Sequence, residues 1–178
     1  MRGDLDGALR IREEAQLPVY EALGDRRSVA VTKGKIADIL EAKGDMEAAN
    51  QIRRNEELPA YEALGANREA AMVRVQLAQT ALRRGGETLD AQTIYSDLDT
   101  AFRTFLEMGA MREIRPTGLL LAQVLGMGGA PKQAQQVLDL TRTAFERLGD
   151  AEGFAAAAQL HDLIAARRDG PDAEGGPE

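Results

Sequence analysis

The chain has 178 residues, 44% of them hydrophobic, which is long enough for about one domain with a real core. Only 4% are aromatic and none is tryptophan, so a core of Ala, Leu, Ile and Val is expected, which favours packed helices. A net charge of −7 argues against nucleic acid as a partner, and the absence of cysteine excludes disulfides and thiolate metal sites. No apolar run approaches the ~20 residues of a membrane span and no signal-like start is visible, so we expect no membrane partner and a cytoplasmic protein.

One motif is repeated along the chain. The sequence Leu-Pro-x-Tyr-Glu-Ala-Leu-Gly occupies residues 17–24 and returns 41 residues later, at 58–65. Weaker copies at 105–109 and 145–149 keep an aromatic residue four positions before a glycine, and Leu or Met directly before it. Self-similarity at a period of 40 to 44 residues is typical of a helical-repeat solenoid.

Apolar residues at helical spacing between glycines predict about eight helices. Glycine suits the left-handed residue after a helix end, and a following Asp caps the next helix. This arrangement occurs at Gly24-Asp25, Gly44-Asp45 and Gly149-Asp150. Asp4 is expected to cap the first helix, and Asn67 to replace the Asp after Gly65. The repeat domain, 1–168, is predicted to contain a helix at 4–23, helix pairs at 25–64, 66–108 and 110–148, and a capping helix at 150–168, followed by a disordered acidic tail at 169–178.

Three prolines fall inside predicted helices. Pro18 and Pro59 stand at the same place in two copies, and the loss of a backbone hydrogen bond there predicts a kink. The later copies carry Arg103 and Thr143 instead and should be straighter. Pro116 predicts that the sixth helix starts late or is broken near Arg112.

The spacing of large and small residues resembles the tetratricopeptide repeat (TPR). The matching positions are Ile36-Ala37, Gly44 and Ala49, then Leu77-Ala78, Gly85 and Ala91, then Leu121-Ala122, Gly129 and Ala134. The usual repeat has about 34 residues, and its tryptophan and closing proline are missing here. The closer likeness is to long-repeat variants such as kinesin light chain and the repeat arrays of bacterial signalling proteins.

This resemblance implies a right-handed α-solenoid of antiparallel helix pairs whose first helices line a concave groove for an extended or helical peptide. Matched one by one, the groove positions are Lys35, Asp38, Gln76, Gln79, Arg83, Leu119 and Gln123, with Val31, Gly34, Met72, Val75, Leu120 and Met127 beside them. Without asparagine, this set does not resemble the family's clamp for a C-terminal carboxylate. Leu119 and Leu120 could instead pack against the helix at 130–148.

Chemistry-bearing patterns are few. The glycine-rich segment 126–132 lacks the preceding strand and the Gly-Lys-Ser/Thr ending of a phosphate loop, so it predicts a turn. His161 and Asp162 are sequence neighbours about 100° apart on a helix, so Asp162 is not expected to orient the histidine.

The carboxylate pairs Glu13-Glu14 and Glu56-Glu57 lie among arginines and are interpreted as a solvated charged face. No catalytic residue, metal site or cofactor is therefore predicted, and we do not expect an enzyme. An interior small-molecule site is a further, weaker alternative.

Two functions remain open. The first is a non-catalytic scaffold that binds a protein or peptide partner on the concave face. The second is the C-terminal sensor or regulatory array of a larger bacterial signalling ATPase or protease, suggested by a first helix that lacks its partner. The apolar stripe on helix 4–23 then predicts possible homo-oligomers; it comprises Leu5, Ala8, Leu9, Ala15, Val19, Tyr20 and Leu23.

Overall fold

The computed structural model describes residues 4–85 and 90–168, and within them all regular structure is helical. The eight helices are α1 (5–22), α2 (Arg26–Lys43), α3 (46–63), α4 (Asn67–Arg84), α5 (Ala91–Glu107), α6 (Met111–Met127), α7 (Pro131–Leu148) and α8 (Ala151–Arg168). The all-α prediction is confirmed, whereas the stacking into one solenoid stays a prediction. The predicted tail at 169–178 lies outside the described residues.

The chain divides into two compact units, Met1–Leu89 and Asp90–Glu178. The first contains α1 to α4 and the second α5 to α8, and within each unit helices that are consecutive in sequence pack against one another. The core of the first unit comprises Ala30, Leu58, Tyr61, Ala66, Ala70, Val73 and Leu77. In the second unit the most deeply buried large side chains include Leu98, Phe105, Ile114, Leu121 and Leu138.

Small residues lie where neighbouring helices pack. Of the alanines in the TPR-like pattern, five are buried: Ala37, Ala49, Ala78, Ala122 and Ala134. A methyl side chain at these places allows the close approach of two helix backbones. Ala91 is exposed, so the second copy, which fits the pattern least well in sequence, also departs from it in structure.

Glycine followed by aspartate ends one helix and begins the next, as predicted. Gly24, Gly44 and Gly149 have φ angles of 66°, 96° and 65°. Asp45 accepts a hydrogen bond from the backbone N–H of Ala48 at 3.0 Å, and Asp4, Asp25 and Asp150 make the equivalent bonds. The prediction for Asn67 is wrong: the residue after Gly65 is Ala66, so Ala66 takes the cap position without a side-chain bond.

Two helices change their hydrogen-bonding pattern before a proline. Within α1, residues Ile11–Gln16 are π-helical, and within α3 so are residues Arg53–Glu57. In each, the residue before the proline bonds to the carbonyl five positions back, Leu17 to Arg12 and Leu58 to Arg53. What the structure shows at the predicted kinks is therefore a π-helical segment. The later copies, α5 and α7, are α-helical throughout.

The prediction for Pro116 is wrong, because α6 runs without interruption from Met111 to Met127. The proline lies near the helix start, where it removes a single intrahelical hydrogen bond. Ile114 and Leu121, which are 1% and 0% exposed, fix the helix on both sides of it. Packing outweighs local propensity here.

Candidate functional site

A cavity of about 160 Å³ opens between α2, α3 and α4 in the first unit. It is lined by Val31, Gly34, Lys35, Asp38, Glu57, Tyr61, Glu69, Met72, Val73 and Gln76. Six of these are groove positions implied by the TPR resemblance: Val31, Gly34, Lys35, Asp38, Met72 and Gln76. Small-molecule pockets usually have volumes of about 300–1,000 Å³. This cavity therefore has room for a single side chain.

The other predicted groove positions lie elsewhere. Gln79 is exposed on α4, and Arg83 forms an ion pair with Glu41 of α2. In the second unit Leu119 and Leu120 are half-buried on α6, and Gln123 is exposed. The binding role of all these residues stays a prediction.

Arg53 is buried beside the cavity and ties α3 to α2. Its side chain is 2% exposed; Nη1 donates to Glu41 Oε2 at 2.6 Å, and Nη2 donates to Asp38 Oδ1 at 2.9 Å. Glu41 also accepts from Arg83 of α4, so one carboxylate joins three helices. Although burial acts to raise it, the pKa of Glu41 is lowered by its hydrogen bonds and charge interactions with Arg53 and Arg83.

Glu57 is the most unusual group in the cavity. It is only 6% exposed, and its buried Oε2 atom has no hydrogen-bond partner. Burial raises its pKa to about 7, against the opposing charge of Arg53. With this pKa, the Glu57 side chain is partly protonated at neutral pH, where most carboxylates are fully ionised.

The sequence interpretation of a solvated charged face is wrong at Arg53 and Glu57. Glu56 does point outward and pairs with Lys33, but its neighbour is buried. A signal was present in the sequence: every fourth residue from Ala49 to Tyr61 is buried, and Arg53 and Glu57 belong to this row. Because charged residues are rarely buried, such a row in a sequence normally predicts exposed positions at Arg53 and Glu57.

The first copy of the motif has a related pair. Arg12 and Gln16 stand 41 residues before Arg53 and Glu57, also in a π-helical segment. There Arg12 Nη1 donates to Gln16 Oε1 at 2.6 Å. In the second copy a carboxylate replaces the amide, and both Nη atoms of the arginine bond to α2 instead.

Other candidate chemistry is sparse in the described part of the chain. Residues 4–85 and 90–166 contain no cluster of three or more His, Asp or Glu placed to hold a metal ion. His161 Nδ1 lies 3.5 Å from Asp162 Oδ1 on the surface of α8, closer than the 100° between neighbouring helix positions predicts. Within the segment 126–132, residues 128–130 form a turn between α6 and α7, and the residues on either side belong to the two helices. None of the described helices combines the length and apolarity that a bilayer crossing needs.

No protein-family model and no curated protein matches the chain. The TPR resemblance therefore stays a hypothesis based on spacing, and the cavity itself is the basis for a proposed function.

Proposed function

We propose that this protein is a non-catalytic interaction module that binds a peptide or helix of a protein partner in the groove between α2 and α4. The observation that supports this most directly is the cavity, where groove positions from both helices meet. Val31 and Met72 line it and are 43% and 48% exposed, although both are apolar. Exposed apolar side chains around a polar floor suit a partner that inserts an anchoring side chain.

The polar groups of the groove would orient such a partner. Lys35, Asp38 and Gln76 supply a cation, an anion and an amide around one small opening. Each can bond to peptide backbone or to a polar side chain of the partner. The TPR resemblance, in which the same positions contact peptides, supports the assignment independently of the cavity.

Selection from a random-peptide display library against the full chain tests this proposal. Selected peptides should lose affinity at least about tenfold when Met72→Glu places a charge in the groove. Met108→Glu is a matched control, because Met108 is an exposed methionine in the second unit and is not one of the predicted groove positions. Peptides that bind both variants as tightly as they bind the unaltered protein would contradict a groove between α2 and α4.

A further inference from the structure

We propose that the cavity is a specificity pocket for one basic side chain, lysine or arginine, of the bound peptide, with the carboxylate of Glu57 as its counter-charge. The inference rests on the proposed function, since it identifies what the groove selects. It depends on three observations: the pairing of the carboxylates, the position of Glu57 against Gly34 in the cavity wall, and the apolar side chains at the opening.

Three carboxylates line the cavity, and their pairing differs. Asp38 accepts from both Arg53 and Lys35, and Glu69 pairs with Arg27. Among the described lining residues, Glu57 is the carboxylate that has a buried oxygen without a hydrogen-bond partner. A buried carboxylate costs free energy unless it is paired, so an entering cation would recover a large interaction.

The charged groups around Glu57 do not pair with its carboxylate, so a cation of a bound peptide can do so. Arg53 on the same helix bonds to Asp38 and Glu41. On α2, Lys35 is 55% exposed at the rim of the cavity, and its Nζ lies 3.2 Å from Asp38 Oδ2. Of the other lining residues, Glu69 of α4 adds negative charge and Tyr61 of α3 is uncharged. The protein's own cations are thus directed to other carboxylates.

The missing side chain of Gly34 leaves room for the Glu57 carboxylate at the cavity wall. A Cβ atom at this position would lie 2.2 Å from Glu57 Oε1, so any other residue would intrude on the carboxylate. Val31 and Met72, exposed at the opening, are placed to contact the methylene stem of a long basic side chain. The volume of about 160 Å³ suits one such stem and its charged end.

The alternative ligand for the pocket is a side chain that accepts a hydrogen bond, because protonated Glu57 can donate one to it. The two ligands have opposite pH dependence. A cation binds the ionised carboxylate, so its affinity should rise as pH increases through the pKa of about 7. An acceptor binds the protonated form and should bind more weakly over the same range.

The test is an NMR titration of the full ¹⁵N-labelled chain with N-acetyl-lysine N-methylamide. We expect saturable shifts of the Gly34, Glu57 and Met72 amides with millimolar affinity. The equivalent norleucine derivative, which has the stem without the charge, should leave these amides unmoved. The affinity should rise roughly tenfold between about pH 6 and pH 8, following the ionised fraction of a group with a pKa of about 7. Equal shifts with norleucine, or affinity that falls with pH, would overturn the proposal.

Two variants assign the binding to the pocket. Glu57→Gln should abolish the lysine response. Gly34→Ala, on α2, should weaken the response because its Cβ atom would displace the Glu57 carboxylate. Glu56→Gln is the matched control, since Glu56 pairs with Lys33 outside the cavity, and it should retain the response. An unchanged response in Glu57→Gln would rule out the pocket.

The selected peptides separate this inference from the proposed function. Peptides that depend on Met72 but lack a basic residue, and that bind Glu57→Gln normally, would refute the pocket and leave the groove intact. Peptides that do not depend on Met72 would refute the groove, whatever the response to the lysine derivative.

Discussion

Gly34 of α2 lies directly against the carboxylate of Glu57 of α3, so closely that a Cβ atom at position 34 would come within 2.2 Å of Oε1. Glycine inside a helix costs about 1 kcal/mol relative to alanine. The missing side chain at Gly34 therefore weakens α2 locally while it leaves room for a buried acid on the neighbouring helix.

This contact predicts that Gly34→Ala lowers stability when residue 57 is glutamate and raises it when residue 57 is alanine. Gly34→Ala should destabilise the unaltered protein, because the Glu57 carboxylate must move. In a Glu57→Ala background the same change should stabilise by up to about 1 kcal/mol through helix propensity. Urea denaturation of the four proteins measures the cycle. Equal effects in both backgrounds would show that the two residues do not interact.

The pKa of Glu57 predicts a pH-dependent stability. The folded-state pKa of about 7 lies above the usual value of 4.5, so the folded protein holds this proton more tightly than the unfolded chain does. The resulting stabilisation is complete below about pH 4.5 and is lost as pH rises through about 7, up to roughly 3 kcal/mol. Glu57→Gln should remove this pH dependence, measured as the free energy of unfolding at several pH values.

Glu56→Gln is the control for that measurement, because Glu56 is exposed and lies next to Glu57 in sequence. It should keep the pH dependence of the unaltered protein. Parallel curves for the unaltered protein and Glu57→Gln would contradict the raised pKa.

Arg53→Met should destabilise the first unit by about 3 kcal/mol. The change removes the buried cation that joins Asp38 and Glu41 and that opposes the burial cost of the Glu57 charge, although Lys35 and Arg83 still pair with the first two carboxylates. Arg103→Met removes an exposed arginine that bonds to Asp99 at 2.8 Å and should cost much less than Arg53→Met. Denaturant titration compares the two, and similar losses would argue against a structural role for Arg53.

The helix caps predict a contrast between two polar residues near helix starts. Asp45→Ala should cost about 1 kcal/mol, because its carboxylate accepts from the Ala48 N–H. Asn67→Ala should cost nearly nothing, since Asn67 is the first residue of α4 and Ala66 holds the cap position. Thermal unfolding of both variants tests this; a larger loss for Asn67→Ala would restore the original prediction for that residue.

The exposed apolar side chains of α1 predict self-association. Ile11 and Val19 of α1 are 55% and 53% exposed, Leu23 directly after the helix is 72% exposed, and none of the side chains of α1 is buried. Size-exclusion chromatography with light scattering should show a dimer or larger species that Val19→Glu converts to monomer. Leu163→Glu on α8, where the leucine is 55% exposed, is the control and should change nothing. A monomer before substitution would contradict the prediction.

Sequence patterns predicted the helices and most of their ends because both signals are local. Apolar spacing and the Gly-Asp steps act over a few residues, and α2 and α7 follow them closely. The hydrogen-bonding pattern inside a helix is harder to predict from the sequence. Pro59 predicted a kink, whereas the chain forms a π-helical segment before this proline. At Pro116 buried neighbours decide the outcome, and a proline alone does not reveal them.

Only the part of the candidate site on α2 and α4, the first helices of two predicted pairs, could be predicted from the sequence. The family pattern pointed to Lys35, Asp38 and Gln76, which line the cavity, but it has no place for a residue of the second helix. Arg53 and Glu57 looked like solvated charges, because their burial depends on α2 and α4 packing against both sides of α3. That information belongs to tertiary structure.

The π-helical segments also bear on the length of the repeat. A turn that closes on the fifth residue back holds one residue more than an α-helical turn. The stretch from Gly44 to Gly65 spans 21 positions, whereas the corresponding stretch from Gly129 to Gly149 spans 20, and its helix contains no π-helical segment. The length difference equals the one residue that the π turn accommodates. An alignment of these two stretches therefore needs a one-residue gap in the π-helical segment just before the proline.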